Sequence, residues 1–269
     1  MNSSLFPIVA AASLAVSGCG GPSRAPAQAG RDAGDAGYGA PPAVTGVQAS
    51  GGRVLLTGVA APKATVRLAT PRGVAAEGAA DATGHWRLSA PALPTAAIYG
   101  LSQNIGGRTV QSEGYLLLTP DGRGLLLRSG AGALAIGAEP QVGLTSFDVD
   151  RDGAAMVSGR GLAGGSVSAR IDGRKLGESR IGPDGHFSIA LSGPVSPGRH
   201  GLKVFGDSLD VSLPIDASPA APLTEGPFRA TPTPAGLRVD WMTPGGGVQS
   251  TLVARQGPVP GEPSHRVLP

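Results

Sequence analysis

An offset of 101 residues lays one part of this chain on another without a gap. Gly52 falls on Gly153, Gly58 on Gly159, Val66 on Val167 and Glu77 on Glu178, and Gly84-His85-Trp86 falls on Gly185-His186-Phe187. Leu88 then meets Ile189, and Gly100-Leu101 meets Gly201-Leu202. Chance agreement among glycine-rich segments would not keep the Gly58 to Gly84 and Gly159 to Gly185 spacings together with matched apolar positions, so the chain carries a duplicated unit. The copies run from 44 to 139 and from 140 to 255, each of a size that one hydrophobic core serves.

Within each copy the apolar residues recur every second position. Val54-Leu55-Leu56, Thr65-Val66-Arg67-Leu68 and His85-Trp86-Arg87-Leu88 alternate or nearly so, and Val167-Ser168-Ala169-Arg170-Ile171 and Phe187-Ser188-Ile189-Ala190-Leu191 repeat the pattern. Period two with one buried face is the mark of a half-buried strand. Turn residues separate the runs at Gly51-Gly52, Asp121-Gly122, Asp152-Gly153, Asp172-Gly173 and Asp184-Gly185. With 44 Gly and 25 Pro in 269 residues, long helices and coiled coils are excluded. The single Cys excludes an internal disulfide and a cysteine-based zinc site. The expected fold is all-β, two tandem β-sandwiches with Trp86 and Phe187 as their central aromatics. A weaker echo pairs Gly124-Leu125 with Gly236-Leu237 at an offset of 112. It predicts an extra hairpin closing each unit, Gly124–Ile136 and Gly236–Val253, with an insertion in the Pro/Ala stretch 214–225.

The segments Thr57–Val66 and Ala80–Trp86, with Ser158–Val167 and Pro183–Phe187 in the second copy, resemble bacterial immunoglobulin-like (Ig-like) and transthyretin-like envelope domains. They also resemble the Ig-like segment of peptidoglycan-binding envelope proteins that carry a LysM domain. No LysM sequence is present, so that binding activity is not implied. The first 18 residues read as a signal segment whose apolar part is of export-signal length, too short to span a bilayer, and the stretch ends Val16-Ser17-Gly18-Cys19. This resembles the lipobox of bacterial lipoproteins, although no Lys or Arg precedes the run. The resemblance implies diacylglycerol on the Cys19 thiol, cleavage before it, acylation of the new amine and a membrane anchor. In that family an Asp straight after the Cys favours the inner membrane, so with Gly20 and Gly21 there the resemblance implies the outer membrane. Residues 19–43 then read as the lipidated Cys and a flexible tether, and 256–269 as a disordered tail.

Asp148-Val-Asp150-Arg-Asp152-Gly153 fits the first half of a calcium loop, in which alternate carboxylates converge on a hard cation, but Gly159 stands where the closing Glu belongs. The same residues suit a hairpin turn. Arg170, Arg174, Lys175 and Arg180 lie close enough to meet an anionic glycan, or form a solvated strand face. Trp241 is either an aromatic platform for a glycan or a buried hairpin residue. His85 and His186 hold equivalent places one residue before the core aromatic, facing outward on separate sandwiches. No nucleophile elbow, zinc-helix motif or phosphate loop appears. The export signal and the scarcity of aromatics, 4% of the chain, argue against nucleic acid. The expected function is a non-catalytic structural or protein-interaction module of the cell envelope, or alternatively a peptidoglycan or surface-glycan binder.

Overall fold

Val54 and Leu56, then Val66 and Leu68, then Trp86, Leu88 and Ala90 are buried while their neighbours face outward. Each run is therefore held in register by the need to keep one face dry. The computed structural model describes residues 39–137 and 142–255, and the only regular secondary structure among them is antiparallel strand. The seven strands of the first copy are β1 (Ala43–Ser50), β2 (Arg53–Val59), β3 (Thr65–Thr70), β4 (Gly73–Ala79), β5 (His85–Pro91), β6 (Ala97–Ile105) and β7 (Arg108–Leu118). They form two facing sheets, β1-β2-β5 and β4-β3-β6-β7.

The second copy repeats the order with β10 (Gly143–Asp150), β11 (Ala155–Arg160), β12 (Ser166–Ile171), β13 (Arg174–Arg180), β14 (His186–Ala190), β15 (Arg199–Gly206) and β16 (Leu209–Asp216). Its sheets are β10-β11-β14 and β13-β12-β15-β16. Both copies are Ig-like β-sandwiches. The fourth strand of each pairs with the third rather than with the fifth, so the partition differs from that of antibody constant domains.

The duplicated glycines have a packing reason. Gly58 on β2 lies opposite Trp86 on β5, and Gly159 on β11 opposite Phe187 on β14. A Cβ at Gly58 would sit 2.1 Å from the Ala43 carbonyl oxygen and 2.3 Å from Trp86 Cζ2; at Gly159 it would sit 2.5 Å from both the Gly143 carbonyl oxygen and Phe187 Cζ. Each core aromatic thus packs against a bare stretch of backbone. The first strand of each copy carries a register shift at the same place, Val44/Gly46 and Leu144/Ser146. The turns expected from sequence are formed; at the β12–β13 hairpin Asp172 (φ 50°) and Gly173 (φ 80°) are both left-handed, as a two-residue hairpin turn requires.

Both extra hairpins are formed, Gly124–Leu127 pairing with Leu134–Ile136 and Gly236–Met242 with Val248–Ala254, but they attach to their sandwiches differently. β8 (Gly124–Leu127) and β9 (Leu134–Ile136) extend the first sandwich beyond β7. The second addition is a three-stranded meander, β17 (Phe228–Thr233), β18 (Gly236–Met242) and β19 (Val248–Ala254), and it joins the opposite sheet, β19 pairing with β10. The two echoed segments are therefore not equivalent hairpins. They meet each other instead: Ile98, Leu117, Leu125 and Leu127 of the first copy pack against Val239, Trp241 and Val253 of the meander, a third core beside the two sandwich cores. All described strands belong to one compact unit.

Candidate functional site

β10 and the meander put the sequence-derived candidates on two faces of one six-stranded sheet, β14-β11-β10-β19-β18-β17. Asp148, Thr251 and Val239 align on the face toward the first sandwich; Val149, Ser250 and Asp240 align on the other.

The calcium reading does not survive this geometry. Asp148 is 4% exposed, and its carboxyl is already engaged by Ser146 Oγ (2.7 Å), Gln249 Nε2 (3.0 Å) and the Thr251 hydroxyl. Asp150 spends Oδ1 on the amides of Asp152 and Ala154, both at 2.9 Å, which is the hairpin turn. Asp152 is exposed beside Arg151. The three carboxylates do not converge, and no cluster of three metal-binding side chains occurs among the described residues. Burial pushes the Asp148 carboxyl above its ordinary range despite the hydrogen bonds.

Trp241 cannot be a glycan platform. It is 1% exposed, stands edge-on to Tyr115 with ring centroids 5.9 Å apart, and donates Nε1–H to Thr251 Oγ1 at 3.0 Å. An aromatic at this place covers the joint between the sandwiches.

On the opposite face Asp240 is also buried, yet it has cations. Burial opposes its charge, but Arg229 (2.8 Å), Ser250 (2.7 Å) and Arg238 (2.9 Å) hold the carboxyl below the ordinary range. Arg238 also donates to the carbonyls of Asp216 (3.3 Å) and Ser218 (2.7 Å), and Arg229 to that of Ala221 (3.2 Å), strapping the connecting segment onto the sheet. Six strands face only four here, so the wide sheet runs past edge strand β16. A cleft of ≈ 290 Å³ opens there, with Phe147, Val149, Ile215 and Leu252 among its walls together with Arg199 and Arg238.

The basic residues do come together, in part. On the outer face of β13-β12-β15-β16, Arg170 lies between Lys175 and Lys203 in cross-strand register. Lys203 was missed because it lies on a distant strand; only the pairing of β12 with β15 brings it in. The row is internally compensated. Lys175 pairs with Glu178, Lys203 with Asp210 at 3.1 Å, and the Arg170 guanidinium covers the Phe205 ring at 5.0 Å. Arg174 is exposed at the start of β13, and Arg180 turns to the Gly164 carbonyl at 3.1 Å. A face of alternating charge suits a mixed polar surface better than a polyanion.

His85 and His186 bind neighbours within their own turns, Thr83 (2.9 Å) and Asp184 (3.1 Å). Cys19, His265, the tether up to residue 38 and the tail lie outside the described residues; the last tether residues are described, the Ala40 carbonyl accepting from Gln103 Nε2 at 2.6 Å and Ala43 opening β1.

No family model matches the chain, and no curated protein matches it. Among solved structures it is similar to a biofilm associated protein, BSP domain, at 15% identity and a TM-score of 0.24, covering 68% of this chain and 30% of that one. It is also similar to the central fibronectin-III array of RIM-binding protein, at 10% identity and a TM-score of 0.28, covering 80% of this chain and 91% of that one. The chain thus spans about a third of the first of these two.

Proposed function

We propose that this is a non-catalytic, lipid-anchored protein of the cell envelope whose two sandwiches act as one stiff interaction module. The observation that carries the reading is the third core. Tandem domains that only share a linker move independently by default. Here Trp241, Val239 and Val253 bury themselves against Leu117, Leu125 and Leu127, so the pair presents its outer faces at a fixed spacing. A spacer or docking arm needs that stiffness, whereas a reaction needs convergent polar groups in a cleft. The walls of the ≈ 290 Å³ cleft are mostly apolar, and its Arg238 is committed to Asp240 and to the connecting segment.

The likeness of Val16–Cys19 to a lipobox supports the anchor, and a tether of Gly, Ala and Pro after it would lift the module from the bilayer. One acyl chain alone binds a membrane marginally, so full anchoring takes the second modification as well. The docking face proposed is the alternating-charge surface of Arg170, Lys175 and Lys203, which fits an envelope protein of mixed charge. Trp241, the best aromatic for a glycan, is unavailable, and this favours the protein partner over the glycan.

Membrane fractionation and acyl labelling of the native protein and of Cys19→Ser test the anchor. The native protein is expected in the membrane with label and the variant in the soluble envelope fraction without it. Label or membrane retention in Cys19→Ser would overturn the anchor. A photo-crosslinking residue at position 203 tests the docking face: a discrete protein adduct, lost in Arg170→Glu, is expected, and an adduct to purified cell wall instead would favour the glycan reading.

A further inference from the structure

The joint between the sandwiches contains a proton that the side chains around it can be counted to require. Three oxygen–oxygen links run in line from β10 to the segment between β8 and β9: Asp148 Oδ2 to Ser146 Oγ at 2.7 Å, Ser146 Oγ to Ser158 Oγ at 2.9 Å, and Ser158 Oγ to the Ala133 carbonyl at 2.7 Å. A carbonyl brings no proton, so Ser158 donates to it. Ser158 must then accept from Ser146. Ser146, its own proton spent, must accept from Asp148. Three links need three protons, and the serines supply two.

The other carboxyl oxygen fits the same account. Oδ1 accepts from Gln249 Nε2 and from the Thr251 hydroxyl, whose oxygen accepts the Trp241 Nε1–H. With Ser146 accepting, one oxygen donates and the other only accepts, as in a carboxylic acid; the Ala133 amide beside the carboxyl favours its charge, but burial outweighs it. An ionised Asp148 would instead claim the Ser146 proton and leave two buried serine oxygens 2.9 Å apart with no hydrogen between them.

Among the described residues no cation is placed to compensate such a charge. Arg128, in the segment before β9, spends its guanidinium on the carbonyls of Ala131 (2.9 Å) and Gly132 (3.2 Å). Asp150 on β10 is capped by its own turn. Arg160 on β11 donates to the Asp184 carbonyl, and His186 on β14 binds the Asp184 carboxylate. Asp240 and Arg238 of β18 lie on the far face, while β9 and β19 carry no titratable side chain.

We propose that Asp148 is a neutral acid when the two sandwiches are joined, and that its ionisation at rising pH loosens the joint, so that the stiffness of the module is pH-sensitive. The burial that raises its carboxyl above the ordinary range agrees with this. The sign follows from linkage. The joined state holds the proton more tightly, so this contribution is whole below the ordinary aspartate value of about 3.9 and is lost as pH rises through the raised one.

Asp148→Asn in the full chain is the decisive variant, because an amide donates to Ser146 and accepts from Gln249 and Thr251 without titrating. Hydrogen exchange at the Gly130 and Ala133 amides, which point across the joint to Gln249 and Ser146, reads the opening. After correction for the intrinsic pH dependence, opening in the native protein is expected to grow with pH by up to about tenfold per unit within the titration window. It is expected to be flat in Asp148→Asn. Infrared difference spectra should also show the carbonyl stretch of a protonated acid in the native protein, one unit above the ordinary aspartate value, and not in the variant. Exchange that tracks the variant at every pH, an absent acid band, or a joint opened throughout by Asn would each overturn the proposal. None of these outcomes bears on the Cys19 anchor, so failure here and failure there are distinguishable.

Discussion

Gly58 and Gly159 show how one residue can set a whole layer of a sandwich. Each lets a ring from the neighbouring strand lie against backbone, and each leaves a carbonyl of the first strand within 2.1 or 2.5 Å of where a methyl group would go. That backbone cannot step aside without breaking the pairing at the bulge. Gly58→Ala and Gly159→Ala are therefore expected to cost at or beyond the top of the ~1–3 kcal/mol range for overpacking, read as a fall in the denaturation midpoint. The partner aromatic behaves differently. Trp86 is 4% exposed, and its buried Nε1 meets no hydrogen-bond acceptor among the described residues, whereas the second copy uses Phe187 and buries no such donor. Trp86→Phe gives up some packing but also removes an unsatisfied donor, itself a cost of about 1–3 kcal/mol. The net change in unfolding free energy is expected to fall within about 1 kcal/mol; a loss like that of a core truncation would show that the indole packing matters more than the stranded N–H.

Strands and turns are held by pairing, and in one place by a charge. His200 on β15 has Nδ1 2.7 Å from Asp172 Oδ2 and Nε2 2.8 Å from the Ser196 carbonyl. Both partners accept, so both ring nitrogens donate and the ring is an imidazolium. The Asp172 hydrogen bond, with that of Ser196, raises the His200 pKa, and the same bond with the Gly201 amide lowers that of Asp172. The histidine contribution is whole below about pH 6.5 and is lost as pH rises through the raised value; the aspartate contribution is whole above about pH 3.9 and is lost as pH falls through the depressed one. The clasp between the β12–β13 turn and the segment before β15 is thus expected to be closed between those limits. The melting-temperature gap between the native protein and His200→Gln should be widest near pH 5 to 6 and narrow on the alkaline side; a gap constant across that range would show the ring to be neutral. Elements of this kind were legible in part. Period two in Val66-Arg67-Leu68 and the Asp172-Gly173 turn told where strands run and which face is dry. They did not tell which strand becomes a neighbour. That is why the echo of Gly124-Leu125 in Gly236-Leu237 suggested equivalent hairpins, while one segment extends the sheet past β7 and the other lies two strands from β10.

At the scale of the molecule the decisive surface was written in residues whose partners lie far away. Trp241 and Asp148 read locally as a platform and a cation ligand, because nothing within a few positions reveals that Leu117, Leu125 and the Ala133 segment will cover them. Ser146, Ser158 and Thr251, which no motif singles out, carry the joint; only the pairing of β10 with β11 and β19 gathers them. The signal available was the offset itself, since the stretch from Phe228 onward has no full counterpart in the first copy and so had to bury its apolar face against something other than its own sandwich. If the joint is a core in its own right, then removing its largest side chain should uncouple the sandwiches without unfolding either. Trp241→Ala empties a site bounded by Tyr115, Val239 and Val253 and strips Thr251 of its indole donor. Truncations of buried aromatics cost about 3–5 kcal/mol, and here that loss falls on the contact between the sandwiches and on the meander, not on the cores around Trp86 and Phe187. Calorimetry of the native protein is expected to give one transition and Trp241→Ala two, with scattering curves that widen toward a flexible pair. A single transition shifted down with unchanged scattering would mean that the sandwiches stay fused through the contacts that remain, among them the hydrogen bonds of Ser158 to the Ala133 carbonyl, Ser188 to the Ala131 carbonyl and Arg123 to the Ala254 carbonyl.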